Sequence, residues 1–284
     1  MADDRETLDI DGLLRFYADA GVDMPLSDTP IDRFAEPQRP APSQPAAQIS
    51  NAPERGQQQP RPAPTPAPTS RPVQAAADLP DTAQIALARE AAAQASTLEE
   101  LREKLAAFDG CNLKFTAKNL CFADGDPSSD IMFIGEAPGR DEDMEGLPFV
   151  GKSGQLLNRM IESIGLKREG VYIANTIPWR PPGNRTPTPL ETELCRPFIE
   201  RQIELAAPKI LVALGGPAGK ALTGATEGIL RLRGNWKVHR MPSGLEIPVM
   251  PTLHPAYLLR TPAQKRFAWR DFLAVKLKLA ELIS

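Results

Sequence analysis

Four short apolar runs alternate with helix-patterned segments in the second half of the chain, and this alternation constrains the fold more than any other feature. The apolar runs cover residues 130–135, 171–175, 209–214 and 247–253. The helical patterns cover residues 82–108, 153–164, 188–206, 217–222 and 262–283. Continuous apolar strands separated by helices predict an α/β fold with a parallel sheet that is covered on both faces.

Proline divides the chain into two physically different segments. Fourteen of the 30 prolines lie between Pro25 and Pro80, in stretches such as QQQPRPAPTPAPTSRP. Such a composition cannot bury enough apolar surface to offset chain entropy, so residues 28–80 are predicted to form a disordered linker. Apolar residues at helical spacing over 8–21 predict a short acidic amphipathic helix within residues 1–27. Residues 81–284 are long enough to form one globular domain.

Several protein classes are excluded by composition. No apolar run approaches the roughly 18 residues that a membrane span needs, and the acidic start MADDRETLDI does not resemble a signal peptide. Three cysteines are too few for a disulfide scaffold, which favours the cytoplasm. Residues 1–80 hold 12 acidic residues and 7 arginines, so of the net charge of −3 the first segment carries −5 and the rest +2. This balance favours neither the presence nor the absence of a polyanionic partner.

Polar side chains follow three of the predicted strands. The first strand leads into GEAPGRDEDMEGLPFVG, the second ends at Asn175, and the fourth leads into HPAYLLR. Ligands of parallel sheets bind beyond the carboxyl ends of the strands. Each residue alone has an ordinary structural explanation, such as a solvated acidic turn or a structural histidine. Their placement at three strand ends favours a functional site.

The same segments carry a family resemblance that covers most of residues 100–275. GEAPGRDEDMEGLPFVGKSGQLL, NTIPWRPPGNRTP and HPAYLLR resemble the three signature regions of family 4 uracil-DNA glycosylases. The resemblance implies a three-layer α/β/α sandwich with a four-stranded parallel sheet, and it makes residues 81–284 the catalytic domain. It implies a monofunctional enzyme that removes uracil from DNA and starts base excision repair. We expect uracil-containing DNA as the partner, a monomer, and no association with membranes.

The chemistry of base excision assigns roles to three residues. A base inside a duplex must be flipped out and held by stacking and by hydrogen bonds to its edge. Phe149 can supply the stacking face, and the Asn175 amide can pair with the N3–H and O4 of uracil. Cytosine presents the opposite pattern there and is rejected. His254 can donate to uracil O2, where negative charge develops as the base departs.

Two residues are candidates for the carboxylate that stabilises the sugar cation or orients water, and the sequence does not choose between them. By the resemblance, Glu136 and Glu142 are the acidic candidates. Ala137 stands in the uracil-binding segment where better-known members of the superfamily carry a water-activating aspartate. Glu142 has an alternative role, the exclusion of thymine by crowding its methyl group.

Four further residues are expected to contact DNA. By the resemblance, Leu258 is the apolar wedge that fills the vacated base stack. Arg260, Lys265 and Arg266 are placed to meet phosphates, although a solvated basic helix start explains any one of them equally well.

The chain departs from the family in its cysteines. Family 4 enzymes hold an iron–sulfur cluster on four cysteines, and by the resemblance only Cys111 and Cys195 match ligand positions. Phe108 and Trp179 stand at the other two, and Cys121 does not restore the spacing. Two thiolates do not hold a cluster that takes four protein ligands. We expect no cluster and no other metal, with the two aromatic rings packed into the vacated volume.

Two alternatives stay open, and one relative is set aside. The domain could be a non-catalytic module that binds DNA or nucleotides. Residues 1–80 could carry the main function. The N-terminal helix would then recruit a repair or replication protein, or would itself dock on the basic surface of the domain. A related group traps DNA covalently through a histidine-containing insertion after the second strand. Residues 180–187 contain no histidine, so turnover is expected.

Overall fold

The computed structural model describes residues 81–241 and 244–283, which are built around one mixed sheet. Its six strands are β1 (Asp124–Gly125), β2 (Ile131–Gly135), β3 (Tyr172–Asn175), β4 (Ile210–Leu214), β5 (Lys237–Arg240) and β6 (Glu246–Thr252). Their spatial order is β1-β3-β2-β4-β6-β5. The predicted N-terminal helix and proline-rich linker lie outside the described residues.

The sheet corrects the prediction of four strands. The four predicted strands form its parallel centre, in the order β3-β2-β4-β6. β1 and β5 add one antiparallel strand at each edge, giving six. Neither edge strand contains a continuous apolar run, because β1 has two residues and β5 reads Lys-Val-His-Arg with alternate side chains exposed.

Helices cover both faces of this sheet. They are α1 (Asp81–Ala93), α2 (Leu98–Ala107), α3 (Leu113–Thr116), α4 (Arg140–Glu145), α5 (Lys152–Ser163), α6 (Pro189–Ala206), α7 (Gly216–Thr223), α8 (Ile229–Leu232), α9 (Pro255–Arg260) and α10 (Lys265–Ile283). Within the described residues, no helix is long and apolar enough to cross a membrane.

The side chains of β2 show how the three layers are held. Successive strand residues point to opposite faces, and all five residues of β2 are buried. On one face Phe133 packs against α5 and α10, with its ring centroid 5.9 Å from that of Phe272. On the other face Met132 packs in a cluster with Ile203 of α6 and Leu222 of α7. The predicted three-layer α/β/α sandwich is confirmed.

One predicted helix is divided in two. The pattern over 82–108 predicts a single helix, but α1 ends at Ala93 and α2 begins at Leu98. Thr97 caps α2 by accepting a hydrogen bond from the Glu100 N–H (3.2 Å), and the Glu100 carboxylate accepts one from Ser96 (2.7 Å). Thr-x-x-Glu is a signature of a helix start, so the break is encoded in the sequence.

Candidate active site

A cavity of about 470 Å³ opens at the carboxyl ends of the parallel strands. Segments that follow β2, β3, β4 and β6 line it, as expected for a parallel sheet. Seven of the predicted site residues contribute to its wall. They are Glu136, Ala137, Glu142, Phe149, Asn175, His254 and Arg260.

Asn175 presents an unsatisfied hydrogen-bond acceptor to this cavity. It is the last residue of β3, its side chain is 5% exposed, and its Oδ1 is buried without a partner. Gly135, its register partner on β2, leaves room for the amide, because a Cβ there would lie 2.3 Å from Oδ1. A buried unpaired carbonyl oxygen is costly, which indicates that a ligand donor satisfies it.

Phe149 places an aromatic ring beside Asn175. A Cβ on Gly135 would also lie 2.6 Å from Phe149 Cζ, so both side chains crowd the same point of β2. The Phe149 and His254 ring centroids are 5.6 Å apart, with the ring planes inclined by 31°. The ring therefore offers an apolar wall for a flat ligand, next to groups that can hydrogen-bond to the edge of that ligand.

His254 is held in one tautomer by the start of α9. Its Nδ1 accepts a hydrogen bond from the Ala256 N–H at 3.1 Å, so in the neutral ring the proton is on Nε2. Burial, helped by the positive charge of Arg260 and opposed by Glu142, lowers the pKa of His254 to about 4. The imidazole is neutral near pH 7 and keeps an Nε2–H donor for a ligand.

The Glu142 carboxylate is fully engaged by the backbone. One oxygen accepts from the Gly139 N–H (3.1 Å), and the other accepts from Val150 (3.1 Å) and Gly151 (3.0 Å). These bonds tie both ends of the 139–151 segment together and fix the loop that carries Phe149. Within the sequence RDEDME, which is helix α4 and not a solvated turn, Asp143 is buried as well.

Glu136 differs from Glu142 in its environment. It follows β2 directly, lines the cavity, and its carboxylate makes no hydrogen bond to any described residue. Burial raises the pKa of Glu136. Ala137, the next residue, contributes a small apolar surface to the cavity and packs against the core cluster that includes Trp179.

Comparison with known proteins agrees with this geometry. The profile of the uracil DNA glycosylase superfamily matches residues 122–278. The chain belongs to the uracil DNA glycosylase superfamily. A Type-4 uracil-DNA glycosylase of Sulfurisphaera tokodaii is 38% identical over 188 residues, which is 63% of this chain and 84% of that protein.

Two further relatives carry the same name. The Type-4 uracil-DNA glycosylase of Archaeoglobus fulgidus is 38% identical over 181 residues, covering 62% of this chain and 90% of the relative. That of Saccharolobus solfataricus is 41% identical over 174 residues, covering 58% of this chain and 79% of the relative.

The expected DNA wedge of this superfamily member is a buried residue. Leu258 is 1% exposed and packs with Leu253 and Ala268 in a cluster between α9 and α10, so its side chain is not at the surface of this structure. The next residue, Leu259, is 44% exposed. Leu258 and Leu259 are neighbours on α9 and point in different directions, Leu258 towards the interior and Leu259 towards the solvent. The spacing of the motif alone does not tell which of the two leucines is exposed.

The predicted phosphate contacts are on the surface. Arg260 is exposed at the cavity wall, whereas Lys265 and Arg266 are exposed at the start of α10 and do not line the cavity. The guanidinium of Arg266 lies 4.7 Å from the centroid of the Phe267 ring.

The loop after β3 supplies cavity residues that sequence reasoning missed. Pro181, Asn184, Arg185, Thr186 and Pro187 form one side of the cavity. They follow Asn175 at the same sheet edge, so the rule that found Asn175 could have found them. Arg185 is fixed by a bidentate ion pair with Glu191, with distances of 2.9 and 2.6 Å.

The residues at the expected cluster positions do not fit an iron–sulfur cluster. Cys111 and Cys195 are free and buried, and Trp179 is packed with them in one hydrophobic cluster. Phe108 packs on the same cluster, its ring centroid 5.3 Å from that of Phe198. In the part of the chain that the structure describes, no group of three or more His, Cys, Asp or Glu could hold a metal ion.

Proposed function

We propose that this protein is a monofunctional uracil-DNA glycosylase, which hydrolyses the bond between uracil and deoxyribose and so starts base excision repair. The observation that carries the proposal is the unpaired Asn175 Oδ1, buried beside the Phe149 ring at the edge of the sheet. A flipped-out pyrimidine is a flat ligand whose edge needs such a partner.

Asn175 supplies the selectivity. Uracil carries an N3–H that donates to Oδ1, and its O4 accepts from the amide nitrogen. Cytosine has an acceptor at N3 and a donor at C4, so it would leave the Asn175 amide unpaired or repelled, which costs enough to reject a base strongly. Phe149 stacks on the flipped ring.

His254 and Glu136 supply the chemistry. The bond between C1′ and N1 breaks with its electron pair going to uracil, and the neutral His254 Nε2–H stabilises the charge that develops on O2. Glu136, whose carboxylate is uncommitted, orients the water whose oxygen bonds to C1′ and accepts the proton that this water loses, while uracil leaves as the anion. Glu142, whose oxygens bind three backbone N–H groups, positions the 139–151 loop. This division supports Glu136 as the acidic group that acts on water.

The surroundings of the cavity suit DNA. Leu259, exposed on α9, takes the wedge position that Leu258 leaves vacant, and it fills the gap in the base stack. Arg260, Lys265 and Arg266 meet phosphates of the bound strand.

The protein works without a cluster, as a monomer, in the cytoplasm. The packing of Phe108 and Trp179 beside the two remaining thiols supports the first point, and three free cysteines support a reducing compartment. Residues 81–284 form the catalytic domain. Residues 1–27, which residues 28–80 join to the domain, recruit a repair or replication protein. Metal analysis of protein purified without air tests the absence of the cluster, since four iron atoms per chain would contradict it.

An excision assay tests the function. The full chain is incubated with a labelled oligonucleotide that contains one uracil, and alkali then cleaves any abasic site. Uracil strands should be cut and matched cytosine and thymine strands should not. Asn175→Ala and His254→Ala should each lower the rate by ~10²–10³, the usual effect of losing one preorganised donor or acceptor.

The same assay separates the proposal from a non-catalytic module. Folded wild-type protein that binds the uracil strand without releasing uracil would establish the module and refute the enzyme. Wild-type rates in both variants would place the active site elsewhere.

A further inference from the structure

Arg168 makes an unusually dense set of hydrogen bonds behind the cavity. It lies in the short 3₁₀ helix Arg168–Gly170 that precedes β3. Its Nη2 donates to the Pro148 carbonyl at 2.8 Å and its Nη1 donates to the Phe149 carbonyl at 3.0 Å. Nη1 also donates to Asn158 Oδ1 at 2.8 Å, and Nε donates to Asp124 at 2.8 Å. Every side of the guanidinium is used, and none of it lines the cavity.

The two carbonyls held by Arg168 flank a strained residue. Phe149 has a φ of 55°, in the left-handed region that side chains other than glycine rarely adopt. The Pro148 carbonyl belongs to the peptide plane before the Cα of Phe149, and the Phe149 carbonyl belongs to the peptide plane after it. A donor on each plane therefore restrains both φ and ψ of Phe149. Such conformations are strained and persist only where surrounding contacts enforce them.

Packing against α5 completes the restraint. A Cβ on Gly154 would lie 1.8 Å from the Phe149 carbonyl oxygen, so helix α5 approaches that carbonyl closely. The helix therefore blocks one side of the Phe149 carbonyl, and Arg168 donates a hydrogen bond to the same carbonyl from another side. The ring, at the opposite end of the residue, is pressed against Gly135.

We propose that Arg168 is a positioning residue that acts on excision through Phe149, by holding the ring at the angle at which uracil stacks. The inference rests on the proposed function, since it assigns the ring its use. Asp124 neutralises the guanidinium and keeps it in place, through an ion pair of 2.6 Å. Lysine cannot replace the arginine, because an ammonium lacks the planar fork that reaches both carbonyls at once.

A double-mutant cycle tests this inference in the full chain. Single-turnover excision is measured for wild type, Arg168→Met, Arg168→Lys, Phe149→Ala, and each Arg168 variant combined with Phe149→Ala. Either change at Arg168 should lower the rate by about 100-fold, the scale expected when a reactive group is misplaced by about 1 Å. In the Phe149→Ala background the same changes should lower the excision rate by less than about threefold, because the effects of substitutions at two coupled residues are not additive.

Arg201 provides the matched control. It is partly buried and donates Nε and Nη2 to one backbone carbonyl, that of Ala95, at 3.0 and 2.8 Å. It also pairs with Glu204 and does not line the cavity. Arg201→Met should lower the melting temperature as Arg168→Met does and leave the excision rate near that of wild type.

The outcomes are distinguishable. Arg168 variants with wild-type rates would overturn the inference. It would also be overturned if the Arg168 change lowered the rate by the same factor in the Phe149→Ala background as in the wild type. If Arg168→Met does not fold, the Arg168→Lys cycle decides by the same criterion, and failure of both variants to fold would make the role structural and overturn the inference. Wild-type protein that releases no uracil would refute the proposed function instead.

Discussion

At the residue scale, the groups around the cavity divide according to what their atoms already bind. Glu142 has its carboxylate oxygens filled by backbone donors, whereas Asn175 keeps an unpaired Oδ1. His254 uses Nδ1 to accept from the backbone and leaves Nε2 for a ligand. The sequence predicts which residues gather here but not this division, because a motif does not show which side chain bonds to backbone N–H groups eight or nine residues away.

The protonation of His254 can be measured directly. Because burial lowers its pKa to about 4, its imidazole resonances should not titrate between pH 8 and 5.5, where an ordinary histidine with a pKa near 6.5 would. Nuclear magnetic resonance can follow it in the variant His239→Gln, which leaves one histidine in the chain. A midpoint near 6.5 would contradict the neutral donor.

The same shift affects stability with a definite sign. The folded pKa lies below the unfolded one, so the unfolded chain binds a proton first as the pH falls. The stability contributed by neutral His254 is complete above about pH 6.5 and is lost as the pH falls towards about 4. Urea unfolding of His254→Gln should show a smaller decrease over this range than wild type.

The two glutamates should respond differently to the same substitution. Glu136→Gln should lower excision by ~10²–10⁴, the range for loss of an acid or base, with little change in melting temperature. Glu142→Gln should cost about 1–3 kcal/mol of stability, because one amide end would face backbone N–H groups with N–H groups of its own. Single-turnover rates and urea unfolding measure the two effects. A fully active Glu136→Gln would remove it from the mechanism.

At the element scale, periodicity predicts the interior and misses the edges. The four continuous apolar runs are buried parallel strands, because both faces of a central strand need apolar side chains. The edge strands β1 and β5 depend on pairing with a neighbour, which a single run of sequence does not reveal. Helix α4 is likewise missed, since RDEDME has no apolar face and buries Glu142 and Asp143 through their hydrogen bonds.

The loop that follows β3 includes Trp179, which packs against three helices and gives a stability prediction. Trp179 is 3% exposed among α1, α2 and α6, whereas Trp269 on α10 is 45% exposed. Trp179→Ala should lower the free energy of unfolding by ~3–5 kcal/mol, as core truncations of this size do. Trp269→Ala, with the same change in side-chain volume, should cost far less. Urea unfolding of the two variants compares them, and equal losses would show that Trp179 does not support the core.

At the scale of the whole molecule, the residues with a proposed role in excision, Glu136, Phe149, Asn175 and His254, all lie within 81–284 of the sequence. A variant that lacks residues 1–80 should therefore fold and should excise uracil from a short oligonucleotide at the rate of the full chain. Melting temperature and single-turnover rate measure this. A large loss of either would show that the first segment is an integral part of the domain.

The most direct test of the central claim replaces the N3 hydrogen of the substrate base with a methyl group. Oligonucleotides that carry uracil or 3-methyluracil at one position differ at the N3–H that Asn175 Oδ1 is proposed to accept. Wild-type protein should excise 3-methyluracil ~10²–10³ times more slowly than uracil in single-turnover assays, because the buried oxygen is left unpaired. Asn175→Ala should excise the two bases at rates within about tenfold of each other. Equal rates on both bases in the wild-type protein would contradict the account.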